Sequence, residues 1–157
     1  MLHNHRLVQL LQERGYTLAL AESMTCGMAA SNISSVKGAS DVLLGALVCY
    51  HEDVKHCALG VSRRILKKHT AESRQTTEAM AKNLRRLIPA DVHAAITGLA
   101  APGGSESKRK PVGTVFFAVR FRSKTHHARK KFNGSPAEIR KQACDFLYRE
   151  VIRIVGK

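Results

Sequence analysis

The sequence predicts one α/β domain, a three-layer α/β/α sandwich built on a mixed, mostly parallel sheet. Short apolar segments of strand length alternate along the chain with segments of helical periodicity, which is the pattern of such folds. The 157 residues are about the length of one domain with a single core. The sequence contains no internal repeat and no linker, so we assign residues 1–157 to a single domain.

The start of the chain predicts a helix, a strand and a second helix. Leu7 and Leu11 recur at helical spacing, and Gly15 fits the C-cap that ends this helix. The apolar residues 17–22 favour a short buried strand. The segment 24–33 then has the pattern of a helix that starts directly after the strand.

The next stretch predicts a strand and two short helices. Residues 41–51, DVLLGALVCYH, are almost continuously apolar, as expected for a strand in a sheet that is covered on both faces. Helical pieces follow over 52–59 and 62–69, and Gly60 separates them.

A longer amphipathic helix is predicted over 72–88, and Pro89 ends it. One face of this helix carries the apolar side chains Ala79 or Met80, Leu84, Leu87 and Ile88. The next strand is DVHAAITG, residues 91–98, and a loop rich in glycine, proline and serine follows over 98–112.

Two β segments and a final helix complete the predicted order. GTVFFAVRF, 113–121, resumes β structure, and THHARKKF, 125–132, can pair with it as a hairpin. Ser135 and Pro136 open the last helix, since proline is tolerated at the first helical position. The apolar stripe of this helix consists of Ile139, Ala143, Phe146, Leu147, Val151 and Ile154.

Composition restricts the partners that we expect. The chain has 26 Lys and Arg against 12 Asp and Glu, a net charge of +14 that suits nucleic acid, an anionic membrane surface or a phosphorylated small molecule. The basic residues form no dense tract and do not interleave with aromatic residues, which favours a diffusely basic surface over a nucleic-acid face. No segment approaches the roughly 20 apolar residues of a membrane span, and the N-terminus lacks a signal-peptide core, so we expect a cytoplasmic protein.

The cysteines and histidines do not predict a metal site. The four cysteines form no CxxC motif and no zinc-ribbon spacing, and we expect free thiols. His51, His56 and Cys57 lie close together in sequence, but no further ligand cluster accompanies them. We therefore expect no metal and no cofactor.

Three of the predicted strands end in polar or glycine-rich sequence. These ends are AESMTCG, VCYHEDVK and ITGLAAPGGSESKRKPVGTV. Ligands of α/β sheets bind at the carboxyl ends of the strands, so the three segments predict one site at one edge of the sheet.

Ser23 stands between a predicted strand and a predicted helix. A hydroxyl facing outward there could act as a nucleophile, and the amides that follow could hold an oxyanion or a phosphate. The same residues also allow Ser23 or Thr25 to be an ordinary helix cap.

A serine nucleophile needs a base, and Lys55 is a candidate beside the nearby His51 and His56. Lys55 lies five residues past Tyr50, at the start of a predicted helix. A lysine acts as a base only when it is neutral, which requires burial or neighbouring positive charge. A solvated surface lysine is the alternative.

The loop 98–112 is the clearest functional segment of the sequence. Gly98, Gly103 and Gly104 permit close backbone approach, and Thr97 and Ser105 add hydroxyl groups. The loop lacks the GxxxxGK[ST] pattern of a P-loop. A mobile, solvated turn is the alternative.

Together these segments resemble the CinA C-terminal domain family, whose single-domain members include nicotinamide mononucleotide deamidases. The family motif AESCTGG corresponds to AESMTCG here, and a tyrosine followed by Ser-Asn-x-x-Lys corresponds to YHEDVK. The family's TGIAGPGG, followed by KPVGTV, corresponds to TGLAAPGG and KPVGTV. The resemblance extends from about Leu7 to Val155.

The resemblance implies an α/β/α fold and hydrolysis of nicotinamide mononucleotide to nicotinate mononucleotide and ammonia, in pyridine nucleotide recycling. It implies Ser23 as the nucleophile, Lys55 as its base and Tyr50 as a pocket residue beside both. The residues implied in substrate binding are Thr25, Gly27, Thr97, Gly98, Gly103, Gly104 and Arg140, with Arg140 on the substrate phosphate. It also implies a homo-oligomer, a dimer or larger, and a reaction that needs no metal and no cofactor. Composition adds the expectation of no membrane partner and disfavours a nucleic-acid partner.

Several positions depart from the family motifs, among them Met24, Cys26, His51 and Ala101. Cys26 replaces a glycine, which costs conformational energy if that position has a positive φ. The alternative function is therefore a catalytically inactive relative that keeps the fold and acts as a nucleotide-binding or interaction protein.

Overall fold

The computed structural model describes residues 2–157, which form six α-helices, one short 3₁₀ helix (Ala39–Asp41) and five strands. The helices are α1 (Leu2–Arg14), α2 (Met28–Ser34), α3 (Glu52–Cys57), α4 (Arg63–His69), α5 (Arg74–Leu84) and α6 (Pro136–Val155). The strands are β1 (Leu18–Glu22), β2 (Leu43–Val48), β3 (Val92–Gly98), β4 (Thr114–Phe121) and β5 (Lys124–Lys131). The element order agrees with the sequence prediction.

The five strands form one mixed sheet in the order β2-β1-β3-β4-β5. β1 pairs in parallel with both β2 and β3, whereas β4 is antiparallel to β3 and to β5. β4 alone therefore runs against the other strands. The carboxyl ends of β1, β2 and β3 consequently lie at the same edge of the sheet.

Helices cover both faces of the sheet, and β1 contributes alternate side chains to each layer. Leu18 and Leu20 pack in the core with apolar residues of α1, α2 and α6. Ala19 and Ala21 pack in the second core, with residues of α4 and α5. Because side chains alternate along a strand, Glu22 points to the α2 face and Ser23 to the α5 face. The predicted three-layer α/β/α sandwich is confirmed.

Local sequence explains how α6 begins. The Ser135 side chain accepts a hydrogen bond from the Glu138 amide, and the Glu138 carboxylate accepts one from the Ser135 amide. This capping box satisfies amides that have no partner within the helix, and Pro136 occupies the first turn, where its missing N–H costs nothing.

Three local predictions were wrong. α2 begins at Met28 instead of residue 24, because residues 23–27 form a turn. β2 is an edge strand whose residues alternate between half-buried and exposed, so it is not covered on both faces. Leu87 lies beyond the end of α5 and is 55% exposed, so it does not belong to the apolar face of that helix.

No helix in residues 2–157 is both long enough and apolar enough to cross a membrane.

Candidate functional site

The three polar strand ends meet at one edge of the sheet, as the sequence predicted, and enclose a cavity of about 530 Å³. The first strand end contributes Ser23 and Met24, and the segment after β2 contributes Tyr50, His51 and Glu52. The α4–α5 connection contributes Thr70, Ala71 and Glu72, and the glycine-rich loop contributes residues 98–105. Arg140 reaches the same cavity from α6.

Ser23 and Lys55 form a buried pair at this cavity. The Lys55 Nζ lies 2.9 Å from the Ser23 Oγ. Nζ also donates to the carbonyl oxygens of Cys49, at 2.7 Å, and Tyr50, at 3.0 Å. Lys55 is fully buried, so the alternative of a solvated surface lysine is wrong.

Burial lowers the pKa of the Lys55 ammonium, because the charged form loses its hydration. The nearby carboxylates of Glu72 and Glu52 and the Cys49 thiol act in the opposite direction, but the loss of hydration is the larger effect. An ammonium can donate to all three oxygens around Nζ, and a neutral amine can make the same three contacts. Two N–H groups donate to the two carbonyls, and the remaining lone pair can accept the Ser23 hydroxyl proton.

The start of α2 is held by a buried carboxylate instead of a hydroxyl cap. Glu22 is fully buried and accepts hydrogen bonds from the amides of Gly27, Ala29 and Ala30 at 2.8–3.1 Å. Gly27 is the N-cap residue, with φ +90°, and as a glycine it has no side chain that could cap the helix. Capping of α2 by Ser23 or Thr25, the alternative that the sequence left open, is therefore wrong.

The backbone amides nearest to Ser23 differ in whether they already donate a hydrogen bond. The Ser23 amide donates to the Ile96 carbonyl at 3.1 Å, and the Cys26 amide donates to the Ser23 carbonyl at 3.0 Å. Within residues 2–157, the amides of Met24 and Thr25 have no hydrogen-bond acceptor. These two N–H groups are the candidates for an oxyanion site beside the Ser23 hydroxyl.

The glycine-rich loop is anchored by a lysine. Lys110 Nζ donates to Thr70 Oγ1 at 2.7 Å, to the Glu72 carbonyl at 2.9 Å and to Ser105 Oγ at 2.6 Å. Ser105 Oγ also donates to the Glu72 carboxylate. The loop is thus tied to the α4–α5 connection across the cavity. Thr70 has φ +69°, a strained conformation for a β-branched residue, and lies at this junction.

Position 98 requires a glycine because the backbone of β4 passes close to it. A Cβ atom at this position would lie 2.7 Å from the Thr114 carbonyl oxygen. A side chain would therefore push β3 and β4 apart where the loop leaves the sheet, since real Cβ atoms do not come so close.

Arg140 brings an unpaired cation to the cavity. Its Nε is buried and has no hydrogen-bond partner within the described residues. A buried donor without a partner is unusual in a folded protein and suggests that a ligand supplies the acceptor.

The structure brings most of the predicted site residues together. Those that line the cavity are Ser23, Tyr50, Gly98, Gly103, Gly104 and Arg140, and Lys55 lies behind Ser23. Three others do not line it, namely Thr25, Gly27 and Thr97. Thr25 and Thr97 are buried, and the Thr97 hydroxyl lies 2.8 Å from that of Thr77 in α5. Gly27 belongs to the turn before α2.

The departures from the family motifs affect the cavity unequally. Met24, His51 and Ala101 line it, so they change its surface. Cys26 has φ +50°, the conformation in which a side chain is strained, but it is exposed and does not line the cavity. Cys26 therefore leaves the entrance to Ser23 open.

Sequence reasoning assigned no role to Glu22 or Glu72 and treated Lys110 only as one of the positive charges of the loop 98–112. A signal for Glu22 was present, because an acidic residue that ends a fully apolar strand needs a partner. Glu72 and Lys110 lie 38 residues apart in sequence, and only the folded chain brings them together. No group of three or more His, Cys, Asp or Glu side chains in the described part of the chain is arranged to hold a metal ion.

Comparison with known proteins identifies the relatives of this chain. A family model of the CinA C-terminal domain matches residues 2–155. A CinA-like protein of Thermotoga neapolitana is 41% identical over 138 residues, which are 88% of this chain and 33% of that protein. The chain thus spans about a third of the length of the curated relatives that it matches.

Solved structures agree with the family match over almost the entire chain. A CinA superfamily protein from Klebsiella pneumoniae superimposes with a TM-score of 0.93 at 28% identity, covering 98% of this chain and 96% of that one. A competence/damage inducible protein from Agrobacterium tumefaciens gives 0.92 at 30% identity, covering 99% and 94%.

Proposed function

Because the chain belongs to the CinA C-terminal domain family, we propose that it is an amidohydrolase that converts nicotinamide mononucleotide to nicotinate mononucleotide and ammonia. The observation that carries the proposal is the buried pair of Ser23 and Lys55, whose Oγ and Nζ atoms lie 2.9 Å apart at the cavity. A serine hydroxyl becomes a useful nucleophile when an adjacent base takes its proton.

In the first step, the Lys55 amine accepts the Ser23 proton while Oγ bonds to the carboxamide carbon. The carbonyl oxygen gains the negative charge, and the free amides of Met24 and Thr25 are the groups that can donate hydrogen bonds to it. Lys55 is then an ammonium that returns the proton to the carboxamide nitrogen. The C–N bond breaks, and ammonia leaves.

In the second step, water attacks the acyl-enzyme. Lys55, neutral again, takes a proton from the water, and the C–Oγ bond breaks as that proton returns to Ser23. The two carbonyls that hold Nζ keep the amine directed at Oγ throughout. The products are a free carboxylate and the restored hydroxyl.

Arg140 supplies the cation for the substrate phosphate in this proposal. Its buried Nε lacks an acceptor, and a phosphate oxygen would provide one. Tyr50 is 61% exposed and lines the cavity, so its ring is available to pack against the pyridine. The cavity of about 530 Å³ has the size of ordinary small-molecule sites.

The test is ammonia release from nicotinamide mononucleotide by the purified protein and by its Ser23→Ala variant. We expect release by the unmodified chain and none by the variant, with unchanged binding of the substrate to both. Binding without release by either protein would favour the inactive nucleotide-binding relative instead. Equal release by both would exclude Ser23 as the nucleophile.

A further inference from the structure

A second cavity lies at the opposite edge of the sheet from Ser23 and measures about 390 Å³. It is formed by residues that precede β1 and β3 and by residues at the end of β4. Three arginines line it, Arg85, Arg120 and Arg122, together with the aromatic rings of Tyr16 and Phe121. The proposed amidohydrolase activity uses none of these residues.

The three guanidinium groups lack carboxylate partners. Within residues 2–157, none of them forms a salt bridge. The one carboxylate that lines this cavity, Asp91, is engaged elsewhere, since it accepts from the Thr17 amide and the Thr17 hydroxyl at 2.8 Å each. Three guanidinium groups therefore share one concave surface with a single carboxylate, Asp91, and carry an excess of positive charge there.

Arg122 is held in position at a conformational cost. Its φ is +56°, the left-handed region that non-glycine residues rarely adopt, and it lies in the two-residue turn between β4 and β5. Its guanidinium stacks over the Phe121 ring, 4.9 Å from the centroid, and donates to the Tyr16 hydroxyl at 3.3 Å. Glycine or asparagine is the ordinary residue for such a turn, so an arginine here suggests a role for its side chain.

The charges of two of these arginines also reach the interior of the cavity. His93 is only 4% exposed and lines the cavity. Burial is the main cause that lowers its pKa, and the charges of Arg120 and Arg85 lower it further, whereas the Ile88 carbonyl and the Asp91 carboxylate act in the opposite direction. The guanidinium groups of Arg120 and Arg85 therefore both act electrostatically on the buried His93 side chain. Arg85 also lies at the C-terminus of α5, where the helix dipole by itself favours a cation. The helix dipole does not explain Arg120 and Arg122, which lie on β4 and in the turn after it.

We propose that this cavity binds the phosphate groups of a small phosphorylated molecule, held by Arg85, Arg120 and Arg122. Guanidinium groups bind phosphate through paired, charge-assisted hydrogen bonds, and converging arginines are the usual donors. The anion is an inorganic oligophosphate or the phosphate end of a nucleotide. The chemistry of recognition is the same for both, and the Tyr16 and Phe121 rings provide the surface on which a base would add affinity.

The test is calorimetric titration with inorganic pyrophosphate and, separately, with ADP, at physiological salt. All proteins carry Arg140→Gln, so that the cavity beside Ser23 does not compete for the phosphate. The test variant is Arg85→Gln/Arg122→Gly. Glycine suits the left-handed turn at 122, so loss of binding is not loss of folding. The matched control is Arg64→Gln/Arg86→Gln, which removes the same charge from two exposed arginines outside the cavity.

We expect one molecule of pyrophosphate to bind per chain. The dissociation constant should rise about tenfold or more in the test variant and change less than about twofold in the control. Tighter binding of ADP than of pyrophosphate would identify a nucleotide as the ligand, and equal binding would identify the free oligophosphate. The proposal is overturned if neither probe binds, or if the control weakens binding as much as the test variant, since diffuse surface charge would then account for it.

Discussion

The chemical role that we propose for Lys55 depends on the burial of its side chain. Its pKa is lowered chiefly by loss of hydration, so its neutral form is available below the pH range of an ordinary lysine. Because the reaction needs the neutral amine, kcat/KM should rise with pH as the Lys55 ammonium loses its proton. The inflection should lie below 10.5, the ordinary value for lysine. A rate that falls as the pH rises through this range would contradict the assignment.

The variant Lys55→Arg separates charge from basicity. Arginine supplies N–H donors for the Cys49 and Tyr50 carbonyls and carries the charge of the ammonium form, but it does not lose a proton in proteins and so cannot act as the base. We expect kcat to fall by about 10²–10⁴, the range for loss of a general base, in steady-state assays of ammonia release. The exposed Lys67→Arg is the matched control and should retain the full rate.

Glu22 determines the shape of the turn that carries Ser23. Its carboxylate accepts from three amides, and Glu22→Gln replaces one acceptor oxygen with an NH₂ group that faces those donors. We expect the free energy of unfolding to fall by about 1–3 kcal/mol, the cost of leaving buried polar groups unpaired. Urea denaturation measures this change. The exposed Glu13→Gln should leave the midpoint unchanged, and an unchanged midpoint for Glu22→Gln would mean that the turn does not depend on the carboxylate.

The two edge strands of the sheet differ in how they are protected. β5 carries six basic side chains, from Lys124, His126, His127, Arg129, Lys130 and Lys131, which discourage pairing with another strand. β2, LLGALV, carries no charge and exposes Leu44 and Val48, and Tyr50 and Val54 follow with exposed side chains. An uncharged edge of this kind is normally covered. We expect a second copy of the chain to cover it, which agrees with the predicted homo-oligomer.

Val48→Lys tests this arrangement. A charge at this exposed residue, which ends β2 and lies between Leu44 and Tyr50 on the apolar edge, should convert a dimer to a monomer, and sedimentation equilibrium measures the change in mass. Ala137→Lys adds the same charge at an exposed position on α6 and should leave the dimer intact. An unmodified chain that is monomeric at micromolar concentrations would refute the prediction.

At the scale of the whole molecule, the order of the helices and strands along the chain could be predicted from the sequence, but the positions of the strands within the sheet could not. Periodicity identified each helix and strand, because side-chain spacing records which face is buried. The position of β2 at an edge depends on strand order, which the apolar run at 41–51 does not encode. The sequence could likewise place Ser23 and Lys55 on segments that converge at one edge of the sheet. It could not establish that Lys55 is fully buried, because this burial arises from packing between α3 and the ends of β1 and β2. The catalytic roles of both residues stay predictions.

The net charge of +14 gives the last prediction, because it acts on every ligand that approaches the molecule. Nicotinamide mononucleotide is an anion through its phosphate, whereas nicotinamide riboside, which lacks the phosphate, is a cation. A positive protein attracts the first and repels the second, and salt screens both effects over a Debye length of about 10 Å at 0.1 M. Raising the ionic strength should therefore lower kcat/KM for the mononucleotide and raise it slightly for the riboside, in parallel assays of ammonia release. The same salt dependence for both substrates would mean that the positive charge does not serve the substrate phosphate.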